Sequence, residues 1–148
     1  MMVMEDALKN GYTFAWGADV SEKGFSFKNG LAIVPEDEST IVKKGEDNKN
    51  FSDAGAEKIA DCFDEPVKEK EITQALRQEG FDNQTTTDDH GMHVTGIVKD
   101  QKGTKYFIVK NSWGLDNNEC DGYFYASYPY VKYKTMNILI HKDAVPSV

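Results

Sequence analysis

Two histidines and an asparagine are the residues of this chain best suited to chemistry. His90 and His93 stand in the run His90-Gly91-Met92-His93, and Asn111 follows the apolar run Phe107-Ile108-Val109. Imidazole exchanges a proton between about pH 5 and 8, and a side-chain amide oxygen can fix which ring nitrogen carries it. A histidine held by an asparagine is the base half of a nucleophilic site. The ring nitrogen turned away from the amide can keep a thiol as thiolate, the form that attacks a carbonyl. A hairpin decides whether the two residues meet. Residues 94–99 and 105–110 flank Asp100-Gln101-Lys102-Gly103, a polar tetrad ending in glycine that suits a turn. Antiparallel partners across that turn have numbers summing to about 203, which sets Asn111 opposite Met92. His90 then becomes a diagonal neighbour of Asn111 on the same face, roughly 7–8 Å away in backbone terms. Strand alternation turns His93 to the other face, so the two histidines are not expected to chelate one metal. Gly91, Val94 and Thr95 argue for strand at this point, where a helix would have aligned them.

These residues need a scaffold, and the rest of the chain reads as one. Met2, Met4, Ala7 and Leu8 recur at near-helical spacing up to Asn10-Gly11, a helix terminator. Residues 12–20 are aromatic and apolar with Gly17 inside, which predicts a buried strand with a bulge or a close backbone approach. From 21 to 50 the composition turns to Gly, Lys, Glu, Asp and Asn, with one apolar island at 31–34, and this is expected to be a long exposed loop or insertion. Ser52 can cap a short helix to about Phe63. A second helix is expected with Pro66 near its start, Ile72, Ala75 and Leu76 as its buried stripe and Gly80 at its end. Residues 122–128 and 135–141 read as two further strands. The expected architecture is a single α+β domain over 1–148, an antiparallel sheet packed against short helices.

Composition removes several function classes. With 39% hydrophobic and 28% charged residues the 148-residue chain is an ordinary globular sequence. A net charge of -8 would repel a phosphate backbone, so nucleic acid is not an expected partner. No run approaches the roughly 18 apolar residues of a membrane span. Met1 to Met4 is followed at once by Glu5 and Asp6, neither an anchor nor a signal peptide, which leaves the cytoplasm as the default compartment. Cys62 and Cys120 form no CxxC pair or disulfide framework and read as free thiols.

The motif Phe107-Ile108-Val109-Lys110-Asn111-Ser112-Trp113-Gly114 resembles the asparagine motif of papain-like cysteine peptidases, a hydrophobic run ending in Lys-Asn-Ser-Trp-Gly. Asp89-His90-Gly91-Met92 followed by Gly96-Ile97 is similar to that family's histidine strand, and Asp121-Gly122-Tyr123-Phe124 to the strand after the asparagine. The His-Gly-Met form and Trp16-Gly17-Ala18-Asp19-Val20 look more like the bleomycin hydrolase and aminopeptidase C branch. The resemblance covers residues 78–130 and extends to 12–20.

It implies the barrel-like C-terminal half of the papain fold, with His90 and Asn111 catalytic and Trp113 covering their hydrogen bond. It further implies peptide-bond hydrolysis through a thioester acyl-enzyme, aminopeptidase trimming of peptide substrates without a metal or other cofactor, and assembly as a homohexamer. In the family the nucleophilic cysteine lies far upstream of the histidine in a Gln-to-Cys-Trp motif, whereas only 89 residues precede His90 here. Neither Cys62 nor Cys120 fits that motif. The expectation is a chain lacking the nucleophile, inactive alone and partnered by a cysteine-bearing N-terminal half. The alternative is a catalytically inactive peptidase-like binding module.

Overall fold

A computed structural model of the protein describes residues 1–44 and 57–146. Its centre is a curled seven-stranded sheet of half-barrel form, in the order β2-β3-β8-β7-β6-β1-β9, with three short helices. The strands are β1 (Phe14–Ala18), β2 (Phe25–Ser26), β3 (Leu31–Ala32), β6 (His90–Lys99), β7 (Lys105–Lys110), β8 (Tyr123–Ser127) and β9 (Thr135–Leu139). A separate two-stranded ribbon joins β4 (Val42–Lys44) to β5 (Glu57–Ile59). Every pairing is antiparallel except β3 with β8. This is the expected α+β class.

The β6–β7 hairpin forms as its alternation dictates. His93 pairs with Lys110 and Val94 with Val109, a sum of 203, and a bulge around Thr95 moves the pairs nearer the turn, such as Gly96 with Ile108, to 204. Asp100 makes the turn, its Oδ1 accepting from the amides of Lys102 and Thr104, both at 2.8 Å. Met92, Val94, Phe107, Val109, Phe124 and Ala126 then share one buried face with Trp16 and Ala18 of β1. Helix α1 (Met2–Lys9) lays Met4 and Ala7 on that core, and α3 (Tyr128–Lys134) adds Tyr130 and Val131. Gly17 carries the expected irregularity. The β1–β9 register shifts after it, and the Asn137 side chain lies where its Cβ would be.

Three sequence expectations are corrected. The described part of 21–50 is not an exposed loop, because Phe25, Phe27, Ala32, Ile33 and Val34 are buried and β2 and β3 extend the main sheet. Its buried backbone is served from outside the segment: the Lys58 ammonium reaches in to donate to the carbonyls of Glu22 and Phe25, both at 2.6 Å. Of the helix expected over 52–63, the described part from 57 on is instead β5 and a 3₁₀ turn at Asp61–Phe63, while its first residues, Ser52 among them, lie outside the described residues. The second helix, α2 (Gln74–Asp82), starts eight residues after Pro66, because Thr73 caps it by accepting from the Leu76 amide at 3.1 Å. Residues 66–73 run extended, and Lys70 donates to the Val34 carbonyl at 2.8 Å. Ile72 is buried outside the helix, Ala75 is exposed, and Gly80 lies within it. Helix α3 had no counterpart in the periodicity. Ser127 caps it, accepting from the Tyr130 amide, with a proline in its first turn.

Candidate active site

His90 opens β6 and Asn111 follows the last residue of β7, so both stand at the open end of the hairpin. His90 Nε2 lies 2.7 Å from Asn111 Oδ1. An amide oxygen only accepts, so Nε2 carries the proton and donates it. The same oxygen accepts from the Ser112 amide at 2.8 Å, which holds the asparagine side chain in place. Asn111 is buried, and its Nδ2 has no hydrogen-bond partner among the described residues. Its backbone amide donates to the Gly122 carbonyl at 3.0 Å, tying the 111–122 loop shut. Gly122 has φ +80°, and a side chain there would press on the Gly114 carbonyl, so the closure depends on glycine.

Trp113 stacks on the imidazole with ring centroids 4.9 Å apart and 28° between planes. It covers the side of the His–Asn bond it faces, where water would otherwise compete for the donor. The indole is held in turn by the edges of Phe25 at 5.9 Å and Phe27 at 5.2 Å. Those two phenylalanines are site-supporting residues that sequence reasoning missed. Their signal was present, two aromatics at strand spacing in Phe25-Ser26-Phe27, but it was submerged in a polar stretch.

Asp89, the residue before the histidine, is half-buried. Its carboxylate turns back to the chain after β1, accepting from Ser21 Oγ at 2.7 Å and from the Val20 and Ser21 amides, and it also accepts from Thr87 Oγ1 at 2.6 Å. Burial disfavours its charge, but the bonds from Thr87 and Ser21 outweigh that, and its carboxyl lies below its ordinary range. Asp19 mirrors it across the β1–β6 pair, accepting from the Thr87 amide at 2.9 Å. Ala18 pairs with His90, so carboxylates anchor both chains beside the histidine.

The other candidates lie elsewhere. His93 is on the opposite face, exposed, with Nε2 2.8 Å from Thr13 Oγ1. Cys62 packs with Ile33, Phe63 and Tyr106 in a second cluster. The Cys120 sulfur occupies the space a Gly30 side chain would take, beside Ile108 and Tyr125. Tyr106 and Ile108 alternate with Phe107 and Val109, so both thiols sit on the sheet face away from His90. Burial pushes both thiols up, and nearby carboxylates add to it, Asp61 and Asp64 around Cys62 and Glu119 and Asp121 around Cys120. Both effects disfavour the thiolate form. No group of three or more His, Cys, Asp or Glu among the described residues could hold a metal ion.

The fold is similar to a solved structure, PepW from Lactobacillus rhamnosis HN001. The TM-score is 0.61 at 20% sequence identity, over 98% of this chain and 26% of PepW. The chain therefore spans about a quarter of that protein's length. No curated protein matches it. The model of the Peptidase C1-like family matches residues 39–148, a span that contains the histidine strand, the asparagine loop and the strand after it, and the chain belongs to that family.

Proposed function

We propose that this chain is the His–Asn portion of a papain-like cysteine aminopeptidase of the bleomycin hydrolase and aminopeptidase C branch. The nucleophilic thiol is supplied by a cysteine-bearing N-terminal half outside this chain. The observation that carries the reading is the 2.7 Å bond from His90 Nε2 to Asn111 Oδ1 beneath the Trp113 ring. With Nε2 committed to Asn111, Nδ1 is the nitrogen that exchanges a proton with the thiol. The ring takes the thiol proton, and the thiolate attacks the scissile carbonyl of a peptide. The imidazolium then gives its proton to the leaving amine, leaving a thioester. Water, deprotonated by the same ring, hydrolyses the thioester and restores the thiol. Asn111 keeps one tautomer and one ring orientation through both halves, and Trp113 keeps water from its bond.

Mixing this chain with a cysteine-bearing N-terminal half from the same gene tests the reading, with aminoacyl fluorogenic substrates as the readout. The chain alone should show no turnover, and the assembled halves should hydrolyse the substrate. His90→Ala should abolish turnover, while Asn111→Ala should lower it by less, about 10–100-fold, since it loosens the ring without removing the base. Turnover by the isolated chain, with a covalent cysteine-peptidase probe on Cys62 or Cys120, would overturn the assignment. Assembled halves that bind peptide and never cleave it would make the chain a binding module.

A further inference from the structure

The loop between β7 and β8 carries Trp113 and is folded around one side chain. Asn118 is half-buried. Its Oδ1 accepts from the Cys120 amide at 2.9 Å and the Gly122 amide at 2.6 Å, and its Nδ2 donates to the Phe27 carbonyl at 2.6 Å and the Tyr123 carbonyl at 3.0 Å. Two donors and two acceptors are the whole capacity of a side-chain amide, and here each is used on the backbone. No hydroxyl, carboxylate or ammonium offers that set, and glutamine carries it one methylene farther from the chain.

The amide oxygen serves the asparagine side of the site. Its two bonds bracket Asp121, which is held at φ +53°, in the left-handed region that few side chains occupy, beside Gly122 at φ +80°. Gly122, fixed in that turn, presents the carbonyl that accepts from the Asn111 amide at 3.0 Å. The amide nitrogen serves the tryptophan side. It fixes the Phe27 backbone, and the Phe27 ring meets the Trp113 indole edge-on at 5.2 Å while Trp113 stacks on His90 at 4.9 Å. The Glu119 amide also ties the loop to that segment, donating to the Lys28 carbonyl at 3.1 Å, so the loop stays attached without Asn118.

We propose that Asn118 is a positioning residue for His90 that acts through both supports of the ring at once, on Asn111 through Gly122 and on Trp113 through Phe27. All four of its bonds go to backbone groups, so it works on the imidazole through others. The two supports hang on opposite ends of one planar amide, and a shift in either is felt by the other. The proposal rests on the reading of His90 as the base of a peptidase.

The first arm of the test uses the chain alone and needs no turnover. Hydrogen exchange at the Asn111 amide reads the Gly122 side. Acrylamide quenching of indole fluorescence reads the Trp113 side, because Trp16 is 1% exposed. Asn118→Leu keeps the volume and removes all four bonds, so it should speed Asn111 exchange about tenfold or more and raise the quenching. Asn118→Asp keeps both acceptors and loses both donors, so it should raise the quenching and leave Asn111 exchange within about twofold. Asn117→Gly, at the neighbouring left-handed position, should change neither signal.

The second arm uses assembled halves. Asn118→Leu should lower kcat per folded molecule about 10–100-fold with KM within about twofold, the split expected when the base is misaligned and peptide binding is intact. Either signal unchanged in a folded Asn118→Leu chain, or an unchanged kcat, would overturn the proposal. If that variant does not fold, Asn118→Asp decides: raised quenching with a lower kcat supports the proposal, and unchanged quenching overturns it. Assembled halves that stay inactive with the native chain would sink the peptidase reading, and the first arm would still decide whether Asn118 couples the two supports.

Discussion

The β6–β7–β8 meander and the Gly24–Val34 segment meet at Trp113, and they reach it by different physics. The meander is built from neighbours in sequence, joined by a turn and one closed loop, and it brings His90, Asn111 and Trp113 together through register. The Gly24–Val34 segment has strands of two residues, one of them parallel to β8, and it holds its place through distant partners such as Lys58. One region presents the chemical groups and the other buttresses them. A reacting constellation can thus be local while its rigidity is not, because side-chain position depends on what packs behind it.

Phe25→Ala breaks the comparison most directly. Phe25 is 0% exposed and touches Trp113, Phe124 and Tyr130, so its truncation should cost about 3–5 kcal/mol in urea unfolding. Trp113 should become more accessible to an added fluorescence quencher while the hairpin keeps its cross-strand NOEs. A cost under about 1 kcal/mol would mean that the segment is only draped over the core.

A pH series sharpens the junction between the regions. Burial raises the Asp19 carboxyl to about 7, helped by Asp89 and Glu22, while its neighbour Lys134 spends its charge mainly on Glu22 at 2.6 Å and lies 4.0 Å from Asp19. An acid that ionises less readily folded than unfolded contributes its stability in full below the unfolded value of about 4. That contribution is lost as pH rises to about 7. Asp89 has the opposite sign, with stability present above its ordinary range and lost on acidification. Unfolding free energies measured from pH 5 to 7.5 should therefore contain a decline, on the order of 1–3 kcal/mol, that Asp19→Asn flattens. An unchanged slope in the variant would remove Asp19 from the account.

The smallest effect is expected at His93. It is exposed and bonded to Thr13, so His93→Ala should change stability by less than about 0.5 kcal/mol. In assembled halves it should leave the initial rate within about twofold, because strand alternation keeps it off the His90 face. A dead His93→Ala beside an active His90→Ala would reverse the two faces of β6.

From the sequence alone came the α+β class, the β6–β7 hairpin and the approach of His90 to Asn111. Alternation and turn length are local properties, and a register shift by one would expose Val94 and Val109. The helix at Met2–Lys9 and the bulge at Gly17 were legible for the same reason. The tertiary structure decided the rest. Two-residue strands have no period to read, so the burial of Phe25 and Phe27 was hidden among glycines and charges whose backbone is satisfied by Lys58 from elsewhere. Pro66 offered a helix start, but residues 66–73 found better bonds extended beside Val34, and Thr73 capped α2 instead. One oxygen of the Asp89 carboxylate bonds Thr87 close by, but the turn of the other toward Val20 and Ser21 was set by partners 69 and 68 residues away along the chain, which no window of sequence brings together.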